Sequence, residues 1–314
     1  MCHTLVSKLI NFVLKMPDKE IIELLGKLDP MIRKIGNFNL LRDGFYKGVL
    51  KYSFVRAYEF ALYANSLPDE DKTAFFCSGA LRGICEDLIV LKFLHKLRRK
   101  DRDSAISARM LQEAAKATTR QRDFFKSYRP FQPTFSFKRP NVILKKATDD
   151  LKTLGLISGL WTGKMPTIET MARRTRLLSL YRFIYSMTSD LVHFNPRIAF
   201  RAGWGDIPRK IEFSSKNFSR YYLDFCRLYS TLMLVMFFEK FSRITKTTKE
   251  DQVSIKALRN SLNRELRWPE AVTYEEMNVE GPNQFIRIVL HVAHDDEQSK
   301  RLQAKKSRPL PTQP

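Results

Sequence analysis

The sequence has few acidic residues, no paired cysteines and no long apolar run, and each shortage excludes a class of protein. Its four cysteines lie far apart without a CxxC pair, which excludes a disulfide framework and gives no sign of a zinc site. The longest apolar run, from Leu228 to Phe238, has 11 residues and is too short to span a bilayer. The N-terminal segment lacks a basic region followed by a small-residue cleavage site. We therefore expect a cytoplasmic protein with no membrane span, metal or cofactor.

The chain has 314 residues, of which 44% are hydrophobic, so it is too apolar to be disordered. Apolar residues recur almost everywhere with the 3.6-residue period of a helix. This pattern predicts an all-α protein, a helical bundle of at least four core helices with peripheral helices and a basic disordered tail. The predicted units are N-terminal helices over 1–37, the bundle core over 38–245, a C-terminal extension over 246–298 and the tail over 299–314.

Within these units the period and the breaker residues define the individual helices. The most apolar helix, over 217–243, should be central, with the helices around Arg82 and His193 as neighbours. An irregular stretch or a short strand is expected over 203–211. The predicted helices cover 18–29, 38–65, 70–100, 104–128, 141–154, 167–193 and 217–243.

Positive charge is concentrated in one stretch. From Lys92 to Lys146, 16 Lys and Arg stand against 4 Asp and Glu, so this stretch carries +12 of the chain's +22. It includes the loop PFQPTFSFKRPN, in which three Phe alternate with polar and basic residues. Because basic side chains neutralise phosphates and aromatic faces stack on unpaired bases, the pattern favours single-stranded nucleic acid. One alternative is a solvated helix face followed by a Pro-rich loop whose Phe side chains enter the core. The others are an anionic membrane surface or an acidic protein partner.

The residues predicted to bind nucleic acid come from this stretch and from a second basic pair further along. They are Arg98, Arg99, Lys100, Arg120, Arg122, Lys138, Arg139, Arg173 and Arg174.

Polar residues recur at helical spacing on two otherwise apolar helices. Arg82 and Glu86 are four residues apart and can pair along one helix face. On the second helix Arg182, Ser186, Ser189 and His193 form one stripe with Tyr185 near its edge. Both stripes have strongly apolar neighbours, so we expect some of these groups to be partly buried and to need partners.

The spacing of Arg82 and Glu86, followed about a hundred residues later by Tyr185, Ser189 and His193, resembles a family of bacterial all-helical proteins known mainly as a domain of unknown function. The segments MPTIETMA and WPEAVTYEEMN add to the resemblance, which covers about 38–278. That family is distantly similar to HEPN domains, helical bundles found in toxins, RNases and defence systems. The resemblance implies a helical bundle with a central cluster of Arg82, Glu86, Tyr185, Ser189 and His193 as candidate catalytic residues.

The HEPN ribonuclease motif does not carry over to this cluster. It places Arg four to six positions before His on one helix, whereas Arg182 lies 11 positions before His193. Arg287 and His291 have the spacing, but this segment is as compatible with a strand as with a helix, and we regard the match as a coincidence.

Two functions from different classes follow. The first is a nucleic-acid-binding helical protein, with RNA favoured over DNA, in which the basic stretch holds RNA and the polar cluster acts on it as an RNase or toxin-type effector. His193 could move a proton, Arg82 could stabilise charge on a phosphate, and Ser or Tyr could bind or attack. The second is a non-catalytic interaction module for an acidic protein partner, whose polar cluster only fixes helix packing. A homodimer is left open.

Overall fold

The computed structural model describes residues 18–69, 72–135, 137–193, 195–206, 210–265 and 268–271. The predicted basic tail and the Arg287 and His291 pair lie outside these residues. The described elements in chain order are α1 (Asp18–Gly36), α2 (Leu40–Ser66), α3 (Thr73–Cys77), α4 (Ala80–Leu94), α5 (Arg99–Tyr128), α6 (Pro140–Ser158), α7 (Ile168–Arg174), α8 (Leu178–Val192), α9 (Pro196–Arg201), β1 (Gly203–Asp206), β2 (Lys210–Phe213), α10 (Ser219–Thr245) and α11 (Lys249–Arg264).

The all-α prediction is confirmed, and α10 is the central helix. It packs against α2, α3, α4 and α11. Phe54 of α2 is fully buried, and its ring lies 5.3 Å from that of Phe237 and 5.2 Å from that of Phe238. Of the two predicted neighbours of α10, α4 packs directly, and α8 reaches it through Phe183, whose ring lies 5.3 Å from that of Tyr229. The strand alternative over 203–211 is also confirmed, because β1 pairs antiparallel with β2.

The predicted end of the first helix at Pro30 is wrong. Proline lacks an N–H and costs one backbone hydrogen bond inside a helix. The helix nevertheless continues to Gly36, and the added turns bury Met31, Ile32 and Ile35 against the core. Burial of three large apolar side chains outweighs the lost hydrogen bond.

The helix predicted over 167–193 is two helices, α7 and α8. Arg176 between them adopts a left-handed backbone conformation with φ of 60°. The ammonium groups of Lys92 and Lys96, from another part of the chain, donate to the carbonyls of Thr175 and Arg174. These long-range bonds satisfy carbonyls that a helix end leaves free, so the break is fixed by tertiary contacts that periodicity does not reveal.

The helix predicted over 70–100 is also divided, into α3 and α4. Its C-terminal end comes at Leu94, where the guanidinium of Arg102 donates to the carbonyls of His95 and Leu97, both at 2.7 Å. These bonds fix the turn that leads into α5.

α11 was not predicted as a helix. Its first turn carries a capping box, in which Thr248 Oγ1 accepts from the backbone N–H of Asp251 and the Asp251 carboxylate accepts from that of Thr248. This signal was present in the sequence.

α5 and α6 form a helical hairpin whose root is anchored to α2. There Asp103 accepts a hydrogen bond of 2.8 Å from the backbone N–H of Tyr46, beside Gly44, whose φ of 78° favours glycine. Among the described side chains from 116 to 146 none is buried. We call residues 116–146 the hairpin tip. Since α5 has 30 residues, it is about 45 Å long.

Within the described ranges, no helix combines the length and apolar character needed to cross a membrane.

Candidate functional site

A line of polar and charged side chains follows the half-buried face of α4 between α2 and α8. We call it the polar strip; it consists of Ser53, Arg56, Arg82, Glu86, Asp87, Tyr181 and Tyr185. The opposite face of α4 is the core, with Leu81, Ile84 and Leu88 buried. The strip therefore lies where α4 meets its two neighbours at the protein surface.

The predicted pairing of Arg82 with Glu86 is present. The Arg82 guanidinium donates a 2.8 Å hydrogen bond to Glu86, and the two side chains are 31% and 29% exposed. The same guanidinium lies over the ring of Tyr185, 4.3 Å from its centre, and the rings of Tyr181 and Tyr185 are 5.5 Å apart. The hydrogen bond to Glu86 raises the pKa of Arg82, while burial and then the Glu86 charge raise the pKa of Tyr181.

The other half of the strip was missed by sequence reasoning. Asp87 accepts hydrogen bonds of 3.1 Å from both Ser53 Oγ and Arg56 Nη1 of α2. Burial raises the pKa of Asp87, and the Arg56 charge opposes that rise. Gly83 allows this arrangement, because the Arg56 guanidinium occupies the space that a Cβ at position 83 would need. Arg56 and Asp87 are 31 positions apart, so no local spacing indicates the contact.

The remaining predicted catalytic residues lie further along α8. Ser189 is half-buried one turn after Tyr185, and His193 is the exposed C-terminal cap of the helix. The His193 imidazole makes no hydrogen bond to another described residue. The expectation that some of these groups are partly buried holds for Arg82, Glu86 and Ser189, whereas His193 is exposed because α8 ends there.

Arg182 and Ser186 also depart from the predicted stripe. Both are exposed, and Arg182 pairs with Glu169 of α7 at 2.7 Å instead of facing α4. The polar strip is therefore a set of ion pairs and hydrogen bonds that joins α2, α4 and α8. In the part of the chain that the structure describes, no group of three or more His, Cys, Asp and Glu could hold a metal ion.

The basic residues predicted to bind nucleic acid come from three segments of the chain: the start of α5, the hairpin tip and the end of α7. Arg98, Arg99 and Lys100 begin α5, whereas Arg120 and Arg122 lie about 30 Å further along the same helix.

Lys138 and Arg139 precede α6 and so share the hairpin tip with Arg120 and Arg122. Arg173 and Arg174 end α7, where Arg173 lies 4.0 Å from Glu169 and Arg174 donates to the carbonyl of Leu160. Lys96, two positions before Arg98, donates to the carbonyl of Arg174, so Arg174 lies near the start of α5 and the length of α5 separates the start of that helix from the tip.

The hairpin tip combines its charge with exposed aromatic rings. Nine Lys and Arg stand against one acidic residue over 116–146. Phe131 is 97% exposed, and Phe135 and Tyr128 are each 71% exposed. Tyr128 stacks on Phe124 with ring centres 4.7 Å apart. The alternative in which the loop Phe side chains enter the core is wrong for Phe131 and Phe135, and Phe124 and Tyr128 are aromatic candidates that the loop pattern did not include.

The hairpin root and His193 lie at opposite ends of α4. A Cβ at Gly79, which precedes α4, would lie 3.4 Å from Val192 next to His193. At the other end, the hydroxyl of Tyr46 donates to the carbonyl of Leu91 at 2.9 Å, and Tyr46 also bonds Asp103 of α5. About 18 Å of helix separates Gly79 from Leu91.

Comparison with known proteins gives one match. Residues 54–203 match the model of a family described as a family of unknown function, DUF5677. The predicted relation to a domain of unknown function is therefore confirmed over this segment, which includes the polar strip apart from Ser53 and the whole hairpin tip. No curated protein and no solved structure matches the chain.

Proposed function

We propose that this chain is a nucleic-acid-binding protein whose hairpin tip holds single-stranded nucleic acid, RNA in preference to DNA. The observation that carries the proposal is the exposure of Phe131 and Phe135 on a tip that carries nine basic residues. Large aromatic side chains are normally buried, because each removes a large apolar area from water. Rings that remain exposed among phosphate-binding side chains suit the stacking of unpaired bases.

The shape of the tip supports single strands over duplexes. Base stacking on an aromatic face needs a base that is out of a helix, and each stacked base contributes about 1–3 kcal/mol. Arg120, Arg122, Lys138 and Arg139 supply phosphate contacts near the rings. In this proposal the polar strip fixes the packing of α2, α4 and α8, and the nucleic acid is held away from His193.

The proposal is tested by fluorescence anisotropy with a labelled RNA of about 20 nucleotides, the matching DNA and an RNA duplex. We expect binding that weakens steeply between about 50 and about 200 mM salt, because counterions are released. Alanine at Arg120, Arg122, Lys138 and Arg139 together should weaken binding at least about tenfold. It should also reduce the salt slope by about 0.7 for each phosphate that the variant no longer neutralises.

A matched control is the triple alanine variant of Arg98, Arg99 and Lys100, which lies at the other end of α5. It should change affinity much less than the tip variant. Equal losses from both variants would mean that charge acts over the whole surface and not at the tip. Binding of acidic peptides without binding of RNA would favour the acidic-partner alternative. Ribonuclease activity stays a prediction, checked by incubating RNA with wild type and with His193→Ala.

A further inference from the structure

We infer that the cavity between α1, α2, α10 and α11 is a binding site for a small polyphosphate ligand, of the chemical class of nucleoside triphosphates. The cavity has a volume of about 910 Å³, within the range of small-molecule sites. Apart from Phe54 and Arg99, its lining lies outside the family segment 54–203. The inference stands independently of nucleic-acid binding at the hairpin tip.

The charge of the cavity lining points to a multiply charged anion. Seven Lys and Arg line it against three acidic residues, a net charge of +4. Like charges brought together in a concave site repel one another and create a strong positive potential there. A triphosphate has acceptor oxygens on three phosphates and carries three to four negative charges. Its charge matches the excess of +4 in the lining.

Two of the three acids are already engaged by the protein. Asp43 has a side chain with no solvent exposure and lies 2.7 Å from both Lys47 and Lys51. These two hydrogen bonds hold the pKa of Asp43 far below its ordinary value, so it stays ionised and fixes both lysines. Asp251 is committed to the capping box of α11. Asp43 also lies 3.5 Å from Arg42, and neither carboxylate pairs with Lys27, Lys34, Arg99 or Lys246.

Three cations of the lining remain unengaged. Lys27, Lys34 and Lys246 make no hydrogen bond or ion pair with another described residue. Arg99 donates only to a neutral carbonyl, that of Arg42. These groups come from α1, the start of α5 and the end of α10, so only the fold brings them to one cavity.

Lys246 occupies a backbone position that normally favours glycine. Its φ of 51° and ψ of 48° place it in the left-handed region at the C-terminal cap of α10. Glycine at this position would relieve the backbone and remove one cation, so a loss of binding in Lys246→Gly cannot be attributed to backbone strain. This residue therefore provides an unusually clean test.

The apolar part of the lining distinguishes a nucleotide from inorganic phosphate. The lining includes the buried residues Met31, Ile35, Leu50 and Phe54, whereas Lys27, Lys34, Arg99 and Lys246 are exposed. A cavity that combines exposed cations with buried apolar side chains fits a ligand that has a charged chain and a planar, less polar part.

The test is isothermal titration calorimetry of the full chain with ATP, AMP and adenosine at about 50 mM salt. We expect ATP to bind at least about tenfold more tightly than AMP, because the unengaged cations act on the additional phosphates. Adenosine should bind more weakly than either. The double variant Lys34→Ala/Lys246→Gly should weaken ATP binding at least about tenfold. The control variant Lys19→Ala/Lys216→Ala removes two exposed lysines outside the cavity and should leave ATP affinity unchanged within about twofold.

Three results would overturn the inference: no heat and no thermal stabilisation with ATP, equal affinity for AMP and ATP, or unchanged ATP affinity in Lys34→Ala/Lys246→Gly. A further variant, Phe131→Ser/Phe135→Ser, separates this site from the hairpin tip. It should lose RNA affinity and keep ATP affinity, and loss of ATP binding in this variant would place the nucleotide on the tip and overturn the cavity site. RNA binding that persists in Lys34→Ala/Lys246→Gly would leave the proposed function intact even if the cavity site failed.

Discussion

The aromatic residues of the core and those of the hairpin tip have the same chemistry and opposite environments. Phe54 is fully buried within about 5 Å of two other Phe rings, whereas Phe131 is 97% exposed with no comparable packing. Both occur in a chain whose fold is otherwise well packed. The difference shows that the tip rings do not take part in packing the core, and their exposure is the observation on which the proposed nucleic-acid binding rests.

The largest loss of stability should come from a substitution in the core. Phe54→Ala should lower the free energy of unfolding by about 3–5 kcal/mol, because it removes a buried ring and leaves a cavity between α2 and α10. Urea unfolding followed by circular dichroism measures it. Phe54→Leu, which fills most of the space, should cost clearly less, and equal losses for the two variants would argue against cavity formation as the cause.

The matching truncation at the tip should change affinity and not stability. Phe131→Ala should leave the free energy of unfolding within about 0.5 kcal/mol of wild type, because the ring makes little contact with the protein. It should weaken binding of single-stranded RNA by about 1–3 kcal/mol if one base stacks on it. Anisotropy and urea unfolding on the same preparation give both values. A stability loss near that of Phe54→Ala would remove the contrast between the two regions.

The polar strip lies between these extremes. Arg82→Ala should cost about 0.5–1 kcal/mol, because the pair with Glu86 is about a third exposed and solvent screens it. His193→Ala should cost less than about 0.5 kcal/mol, since the imidazole is exposed at the end of α8. Urea unfolding of both variants checks the order. A larger loss for His193→Ala would show that the end of α8 carries packing that its exposure does not suggest.

The smallest effect is a pH dependence at the turn after α4. Burial, together with the nearby Arg102 charge, lowers the pKa of His95 below its ordinary value of 6.5. Because the folded state then binds the proton less well than the unfolded state, this contribution is complete above about pH 6.5 and decreases as the pH falls toward the folded-state pKa. His95 is exposed to solvent, which screens the interaction, so the effect should amount to about a few tenths of a kcal/mol.

His95→Gln tests this dependence, because it keeps a polar side chain near the Tyr46 hydroxyl, which lies 3.4 Å from the His95 Nδ1. The difference in unfolding free energy between pH 7.5 and pH 5.5 should be smaller in the variant than in wild type. If the wild-type protein became more stable on acidification, the pKa of His95 would be raised in the folded state and not lowered.

Spacing along the sequence predicted those parts of the fold and of the candidate site that depend on residues a few positions apart. The helical period indicated the all-α class and most helix positions, and the four-residue separation of Arg82 and Glu86 indicated their ion pair. Apart from α11, whose capping box is a local signal that was missed, what failed depends on distant contacts. The break at Arg176 is fixed by Lys92 and Lys96, more than 70 positions away.

The charged features show the same limit. The excess of +12 over 92–146 was visible in the sequence, and so this basic stretch could be recognised. Of the seven cations of the cavity, five come from the first 91 residues, where 12 basic and 11 acidic residues nearly cancel. Their convergence is produced by the packing of α1 and α11 against the core, which no count along the chain reveals.

Positions 56 and 83 are coupled, because the Arg56 guanidinium occupies the space that a side chain at position 83 would need. A side chain at position 83 must displace the guanidinium and with it the hydrogen bond to Asp87, so the cost of Gly83→Ala depends on which residue stands at position 56. With a small residue there, the same alanine meets open space. Both positions lie inside the family segment, so this geometry forecasts correlated substitution among its members: a residue larger than glycine at position 83 should be rarer where position 56 is arginine.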